Sequence, residues 1–425
     1  MHLSSKIILI CYKIITMLTA PFFVAFLCYK KRRDPPYGKQ VFELLGFYPY
    51  EFDSCIWFHG ASVGEINSLK PLINKFSELY PQKNLLITTM TTTGAQAARS
   101  IRAANTVFMP LDSPCAIRRF YKNFHPEILF IVDTELWPNM LQYAKKYNCR
   151  VIIINGRMQE KNCLKYEKNL KIVKDVIASA LHKVICVSKE DSDRFKRIGV
   201  DSDKVIVAGN IKYDLNLSFE LFNKAKDIKN QIKGQVLCCA STHEGEEGIC
   251  LEVFSRIKKT IPDFKLLVVP RHKSDTEALL KELKKTSFKY ICKSTITSND
   301  NFQNNDVIIG DTMGEMSFYF GLSDLVFMGG SFVNIGGHNP LEPAFYALPV
   351  LTGPDFHNFK EQFERLIKDG GAFAVKDTEQ FEKTCISLLN NQEKLDYAGK
   401  KALQILKLGR GSTIKILNEV KKDVK

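Results

Sequence analysis

Short, continuous apolar runs alternate with amphipathic stretches along most of the chain. Cys55–His59, Leu85–Thr89 and residues 107–111, 128–132, 151–154 and 184–187 are apolar without the in–out alternation of a half-exposed strand. They predict strands buried on both faces of a parallel sheet. Between them, Ile66, Leu69, Leu72, Ile73, Phe76 and Leu79 recur at helical spacing, and residues 116–124, 137–146 and 189–198 repeat that pattern. A second alternation starts at residues 236–240 and continues through 266–269, Val307–Ile309 and Leu325–Met328. Helical patterns over 380–390 and 393–408 and a Lys-rich tail close the chain. Strand–helix alternation of this kind predicts an α/β protein with two doubly wound, Rossmann-like domains facing a central cleft. The expected boundaries are an anchor over 1–33, an N-terminal domain over 34–208, a polar connection over 209–234 and a C-terminal domain over 235–425.

The first 33 residues break the pattern. They contain no acidic residue, and from Ile7 to Tyr29 they hold 23 residues with one charge, Lys13. That is near the ~20 residues a helix needs to cross a bilayer. The basic cluster at 30–33 is expected to keep the following chain on the cytoplasmic side. No small-x-small site follows the run, which argues against a cleaved signal peptide. A single span and a helix lying in the interface, bent at Pro21, both remain open. Residues 34–38, Asp-Pro-Pro-Tyr-Gly, then break the helix.

At 425 residues the chain is long enough for two domains. Its net charge of +14 points to an anionic partner: nucleic acid, anionic lipid or a phosphorylated substrate. No basic platform interleaved with aromatics appears, so nucleic acid ranks last. The 12 cysteines form no C-x-x-C pair. They read as buried thiols in a reducing compartment, without a disulfide framework or a zinc site.

The candidate chemistry lies in the loops after the strands. Trp57-Phe-His-Gly-Ala-Ser-Val-Gly-Glu65 runs from a strand through small residues to a helix start. Small residues let a ligand approach the backbone, and Glu65 can stay ionised beside the helix dipole. An ordinary tight turn with a first-turn Glu explains the stretch equally well. Asp133-Thr-Glu135 resembles a metal-binding D-x-D only faintly, and a helix N-cap accounts for Asp133 as readily. Lys161, Lys165 and Lys168 share a helical face that reads as solvated, with an anion-binding edge as the lesser alternative. The densest signal is Gly329-Gly-Ser-Phe-Val-Asn-Ile-Gly-Gly-His-Asn-Pro-Leu-Glu342, with four glycines in nine positions. There the backbone is free for a phosphate, Asn339 caps, Pro340 opens a helix and Glu342 can receive sugar hydroxyls. Neither G-x-x-x-x-G-K-[ST] nor a strict G-x-G-x-x-G occurs, which disfavours ATPases and dinucleotide dehydrogenases.

Taken with Thr134-Glu135-Leu-Trp-Pro, Gly209-Asn-Ile-Lys212, Pro270-Arg271-His272 and Gly314-Glu315, these motifs resemble the 3-deoxy-D-manno-octulosonic acid (Kdo) transferases of lipopolysaccharide assembly. The resemblance runs from the anchor to about residue 410. It implies a GT-B fold with an N-terminal acceptor domain and a C-terminal nucleotide-sugar domain. It also implies CMP-Kdo as donor and the lipid A precursor lipid IVA as acceptor, with inversion at the anomeric carbon. By position, the resemblance makes Glu65 the general base and gives Glu135 and Lys212 transition-state roles. It places Pro270, Arg271, Met313, Gly314, Glu315, Asn339, Pro340, Leu341 and Glu342 at CMP. It implies no cofactor and no catalytic metal, and a location on the cytoplasmic side of the inner membrane among anionic lipids. Gly60 stands where the family usually carries Ala or Ser, and Asp133 where it often carries Glu. The rival readings are another GT-B transferase with a different donor, and a tethered lipid A-binding protein that has lost the reaction.

Overall fold

A computed structural model describes residues 1–30, 37–296 and 300–424. Residues 31–33 of the predicted basic cluster and 34–36 of the predicted breaker lie outside them. The chain divides into two compact units, residues 1–214 with 409–425, and residues 215–408.

The first unit is built on seven strands: β1 (Cys55–His59), β2 (Leu85–Thr89), β3 (Asn105–Phe108), β4 (Pro126–Val132), β5 (Arg150–Gly156), β6 (Leu181–Cys186) and β7 (Val205–Val207). Their order is β3-β2-β1-β4-β5-β6-β7, and every pair is parallel. Helices cover both faces, which explains the unbroken apolar runs. On one face Trp57, Leu129 and Ile153 pack against Phe120, Tyr121 and Phe124. On the other, Phe58, Phe130 and Ile152 meet Leu69, Ile73 and Phe76.

The second unit repeats the design with β8 (Val236–Thr242), β9 (Lys265–Pro270), β10 (Tyr290–Cys292), β11 (Val307–Ile309), β12 (Leu325–Met328), β13 (Val350–Thr352) and β14 (Ala372–Ala374). Its order is β10-β11-β9-β8-β12-β13-β14, again all parallel. Two parallel Rossmann-like sheets of this kind are the GT-B class expected from the sequence. Strands β7, β10, β13 and β14 were not anticipated; each has three residues, too few to show a period.

The predicted boundaries need correction. Residues 209–214 are not a connection, because Ile211 and Tyr213 are buried in the first unit. Helix Phe219–Lys229 is not a linker either, because it packs on helix Met316–Gly321 of the second unit. A Cβ at Gly321 would stand 2.4 Å from the Phe222 carbonyl oxygen, so this contact requires glycine. The expected Lys-rich tail forms helix Ser412–Val420 and belongs to the first unit, where Ile416, Leu417 and Val420 enter the core beside Phe58. Asp214 fixes the start of that helix by accepting the Gly411 N–H at 2.6 Å and the Thr413 N–H at 2.5 Å.

Replacing Asp214 by Ala strands both N–H groups. The expected loss is about 1–2 kcal/mol of first-unit stability. Chemical denaturation should register it, with faster proteolysis of the last 15 or so residues.

Candidate active site

In each sheet the strand order reverses beside the first strand, between β1 and β4 and between β8 and β12. Ligands of open α/β sheets bind outside the carboxyl ends of strands at such switch points. The sequence motifs fall at these ends.

In the first unit, helix Val63–Leu79 begins directly after the β1 loop, with Ser62 as its N-cap. Glu65 turns back on that loop. Its Oε2 accepts the Ala61 N–H at 2.7 Å, and its Oε1 accepts the Ser62 hydroxyl at 2.8 Å. Burial pushes the Glu65 carboxyl above the ordinary carboxylate range. The two hydrogen bonds oppose that shift, and the charges of Asp133 and Glu135 add to it. Among the described residues Glu65 makes no ion pair, so no cation holds its lone pairs.

After β4, Asp133 adopts φ 58° and does not cap a helix, contrary to one of the readings above. It accepts a 2.7 Å bond from Asn155, whose own oxygen accepts the Ile211 N–H at 3.1 Å. Asn155, fully buried at the end of β5, therefore ties the Asp133 loop to the Lys212 segment. Glu135 Oε2 receives the Trp137 indole N–H at 2.7 Å. Lys212 sits in a single 3₁₀ turn, where its backbone N–H is held by Asn210 Oδ1 at 3.0 Å. Lys161, Lys165 and Lys168 are all exposed, as a solvated face requires.

In the second unit, the Gly-rich loop follows β12. The N–H groups of Gly330, Ser331 and Phe332 all point at the carboxylate of Glu246, at 2.6, 2.9 and 2.9 Å. Glu246 is fully buried and also accepts the His243 N–H at 3.1 Å. These amides are occupied by the protein itself and are not free for a phosphate, which corrects the sequence expectation. The helix expected after Pro340 is only Leu341–Phe345, and its Leu341 N–H is taken by Asn339 Oδ1 at 3.1 Å.

Side chains gather here instead. Burial raises the Glu342 carboxyl pKa, while the Asn339 side-chain hydrogen bond and the Arg271 charge oppose the rise. His338 Nε2 stands 2.8 Å from His243 Nε2, and the His272 ring centroid is 5.5 Å from that of His243. Burial, with His243, Arg271 and His272 adding to it, holds the His338 pKa down to about 4, and burial lowers that of His243 as well. Pro270 ends β9. After β11, Met313 is 96% exposed and Gly314 adopts φ 80° in an open turn. Glu315 accepts the Thr312 hydroxyl.

The structure thus brings Glu65, Asp133 and Glu135 together in one unit, and Arg271, Asn339 and Glu342 in the other. His243, His272 and Asp275 have ligand atoms within 4.8 Å of one another. Asp275 already accepts the His272 N–H as a helix-capping group, which accounts for it without a metal. The sequence analysis overlooked Asn155 and Glu246. Asn155 ends a strand and Glu246 opens a helix as unremarkable polar residues, and only their distant partners reveal their work. Changing Glu246 to Gln keeps the shape but replaces one acceptor oxygen with a donor facing N–H groups. The second unit should lose roughly 2–4 kcal/mol, readable as a lower thermal midpoint, and Glu246→Asp should recover only part of it.

The sequence profile of the 3-deoxy-D-manno-octulosonic-acid transferase (kdotransferase) N-terminal region matches residues 39–215. The chain is 32% identical to the 3-deoxy-D-manno-octulosonic acid transferase of Haemophilus influenzae over 96% of this chain and 97% of that one. It is 30% identical to the same-named transferase of Rickettsia prowazekii over 86% and 78% of the two chains. Among solved structures, UDP-GlcNAc 2-epimerase from Neisseria meningitidis superposes with a TM-score of 0.57 at 14% identity, covering 87% of this chain and all of that one, and so shares the fold. With these similarities running almost end to end, the chain belongs to the 3-deoxy-D-manno-octulosonic acid transferases and is a glycosyltransferase.

Proposed function

We propose that the protein transfers Kdo from CMP-Kdo to lipid IVA, with inversion, at the cytoplasmic face of the inner membrane. The observation that carries this reading is Glu65: a carboxylate at the switch point, desolvated, unpaired with any cation among the described residues, and raised in basicity. Glu65 takes the proton of an acceptor sugar's primary hydroxyl as that oxygen attacks the anomeric carbon. The bond from that carbon to the CMP phosphate breaks, and its electron pair leaves with CMP. Attack opposite the leaving group inverts the centre.

Glu135 supports the positive charge that grows at the anomeric carbon. Lys212 offsets the negative charge on the departing phosphate, which is electrostatic stabilisation where charge develops. In the second unit, Arg271 is the cation for the CMP phosphate, and Asn339 and Glu342 take the ribose hydroxyls. Pro270, Met313, Gly314, Glu315, Pro340 and Leu341 complete the contact with the nucleotide. The scheme needs no cofactor and no catalytic metal, because Lys212 and Arg271 supply the positive charge. The acceptor carries two phosphates and acyl chains, which suits a net charge of +14 and an apolar N-terminal helix.

Glu65→Gln should reduce transfer by about 10²-fold or more while CMP-Kdo binding and the thermal midpoint stay unchanged. Transfer at the parental rate removes Glu65 from its role. Turnover with CMP-sialic acid or a UDP-sugar but not CMP-Kdo overturns the donor. Lipid binding without turnover of any donor establishes the non-catalytic reading.

The base must be ionised, so activity falls as pH drops through its raised pKa. Ser62 donates to the ionised carboxylate and lowers that pKa. Ser62→Ala should therefore move the acid limb of kcat/KM to higher pH, by up to about one unit. A limb that stays in place or moves down contradicts the assignment.

A further inference from the structure

The N-terminal helix Leu3–Lys30 is laid along the first unit. Ser5, Leu9, Ala20 and Val24 are buried, and Tyr12 and Thr16 lie half-buried between them. The spacing of three or four residues makes one stripe over most of the helix. The stripe meets helices Pro114–Phe124 and Leu170–Val176. Polar contacts fasten it. The Tyr12 hydroxyl donates to Asp112 at 2.9 Å, and Asn139 Nδ2 donates to Thr16 Oγ1 at 3.1 Å. Asp112 also accepts the N–H groups of Asn139 and Met140, at 3.0 and 2.8 Å, so the helix joins a network inside the domain. At the N-terminal end, the His2 N–H donates to Asp175 at 2.6 Å.

A helix that crossed a bilayer by itself would carry Tyr12 and Thr16 away from every one of these partners. Here the helix has two faces instead. Away from the stripe, Ile7, Ile10, Ile14, Leu18 and Phe22 are 48–78% exposed. That is a long apolar surface, and contiguous exposed apolar surface marks interaction sites. The helices beneath it present exposed Arg118, Lys122, Lys171 and Lys174 and carry almost no acidic charge. An apolar strip with a basic surround complements an anionic lipid surface, in which acyl chains underlie phosphate headgroups.

We propose that this helix lies in the plane of an anionic phospholipid monolayer, with its Tyr12–Thr16 stripe on the protein and its Ile7–Phe22 stripe in the acyl boundary. Both of its ends then stand on the side of the membrane that holds the two units. The inference concerns the mode of attachment and does not depend on the sugar transferred.

Three measurements on the full chain test it. In membranes, a short bifunctional thiol reagent should join the Thr16→Cys, Asn139→Cys double variant within one chain, above the level of either single variant. Absence of that product overturns the proposal. Ser4→Cys, on an exposed position, should react with a membrane-impermeant maleimide in inverted vesicles but not in spheroplasts. Reaction in spheroplasts shows a spanning helix and overturns it. Purified protein should bind phosphatidylglycerol–phosphatidylethanolamine vesicles at least tenfold better than phosphatidylcholine vesicles. The Leu18→Lys, Phe22→Lys variant should lower that binding at least tenfold while keeping its thermal midpoint. Vesicle binding that ignores both changes, or a dimer that dissociates on introducing them in a protein that binds no vesicles, overturns the lipid assignment in favour of another occupant.

Discussion

Backbone N–H groups left over where parallel strands end are the constraint on which both units depend. A strand in the middle of a parallel sheet has its amides paired by its neighbours, but the loop that leaves it does not. Those amides need acceptors, and in a dry loop water is a poor source. This chain meets the need with a few polar side chains, some sent back from the next element and some from far along the chain. Glu65 takes Ala61, Asn155 takes Ile211, Asp214 takes Gly411 and Thr413, and Glu246 takes His243, Gly330, Ser331 and Phe332. Glu65, Asn155 and Glu246 pin loops at the sheet ends where Rossmann-like folds bind ligands, and Asp214 pins the junction before helix Ser412–Val420.

The same device distinguishes Glu246 from Glu65, the base in the function proposed above. Glu246 spends its lone pairs on four N–H groups at zero exposure, so it has nothing left for a substrate proton. Glu65 holds one N–H and one hydroxyl and keeps a lone pair on each oxygen. Its neighbours are acidic, so its proton affinity rises while a geometric hold is retained. A carboxylate with this combination is fixed in direction but still basic, which is what proton abstraction in a cleft requires. Glu135 and Asp133 thus act on Glu65 electrostatically besides whatever they do to substrate.

Continuous apolar runs fixed the strands legibly because burial on both faces leaves no other composition. Glu65 and Arg271 were legible because their motifs crowd small residues or proline beside a charge. Of the three-residue strands β11 alone was legible and β7, β10, β13 and β14 were not, since three positions carry no period. Nor was the return of residues 409–425 to the first unit. Ile416, Leu417 and Val420 look like any short apolar helix face, and nothing in their spacing names the sheet they cover. Helix Phe219–Lys229 reads as a polar linker because only Ala225 and Ile228 of its residues are buried. Long-range partners were the systematic blind spot. Glu246 and Gly330 are 84 residues apart, and Asn155 and Ile211 are 56 apart.

The glycine-rich loop illustrates how a correct motif can carry an incorrect reason. Its glycines were read as opening the backbone to a phosphate. In the structure they let the chain pack on itself: a Cβ at Gly329 would lie 2.6 Å from the Ser241 carbonyl oxygen, and Gly330 adopts φ 70°. The amides so exposed are claimed by Glu246, an internal anion in the place a phosphate would take. An anionic nucleotide approaching this loop meets occupied donors and a buried negative charge, so the loop's backbone cannot supply the attraction. In the function proposed above the attraction comes from side chains instead, and Arg271, whose charge acts on Glu342, is with Glu342 and Asn339 the set that remains. Rigidity is then the contribution of the glycines: they fix the direction of the His338–Glu342 segment, and in the function proposed above the charge for the nucleotide, Arg271, follows the end of β9, with β8 between it and β12.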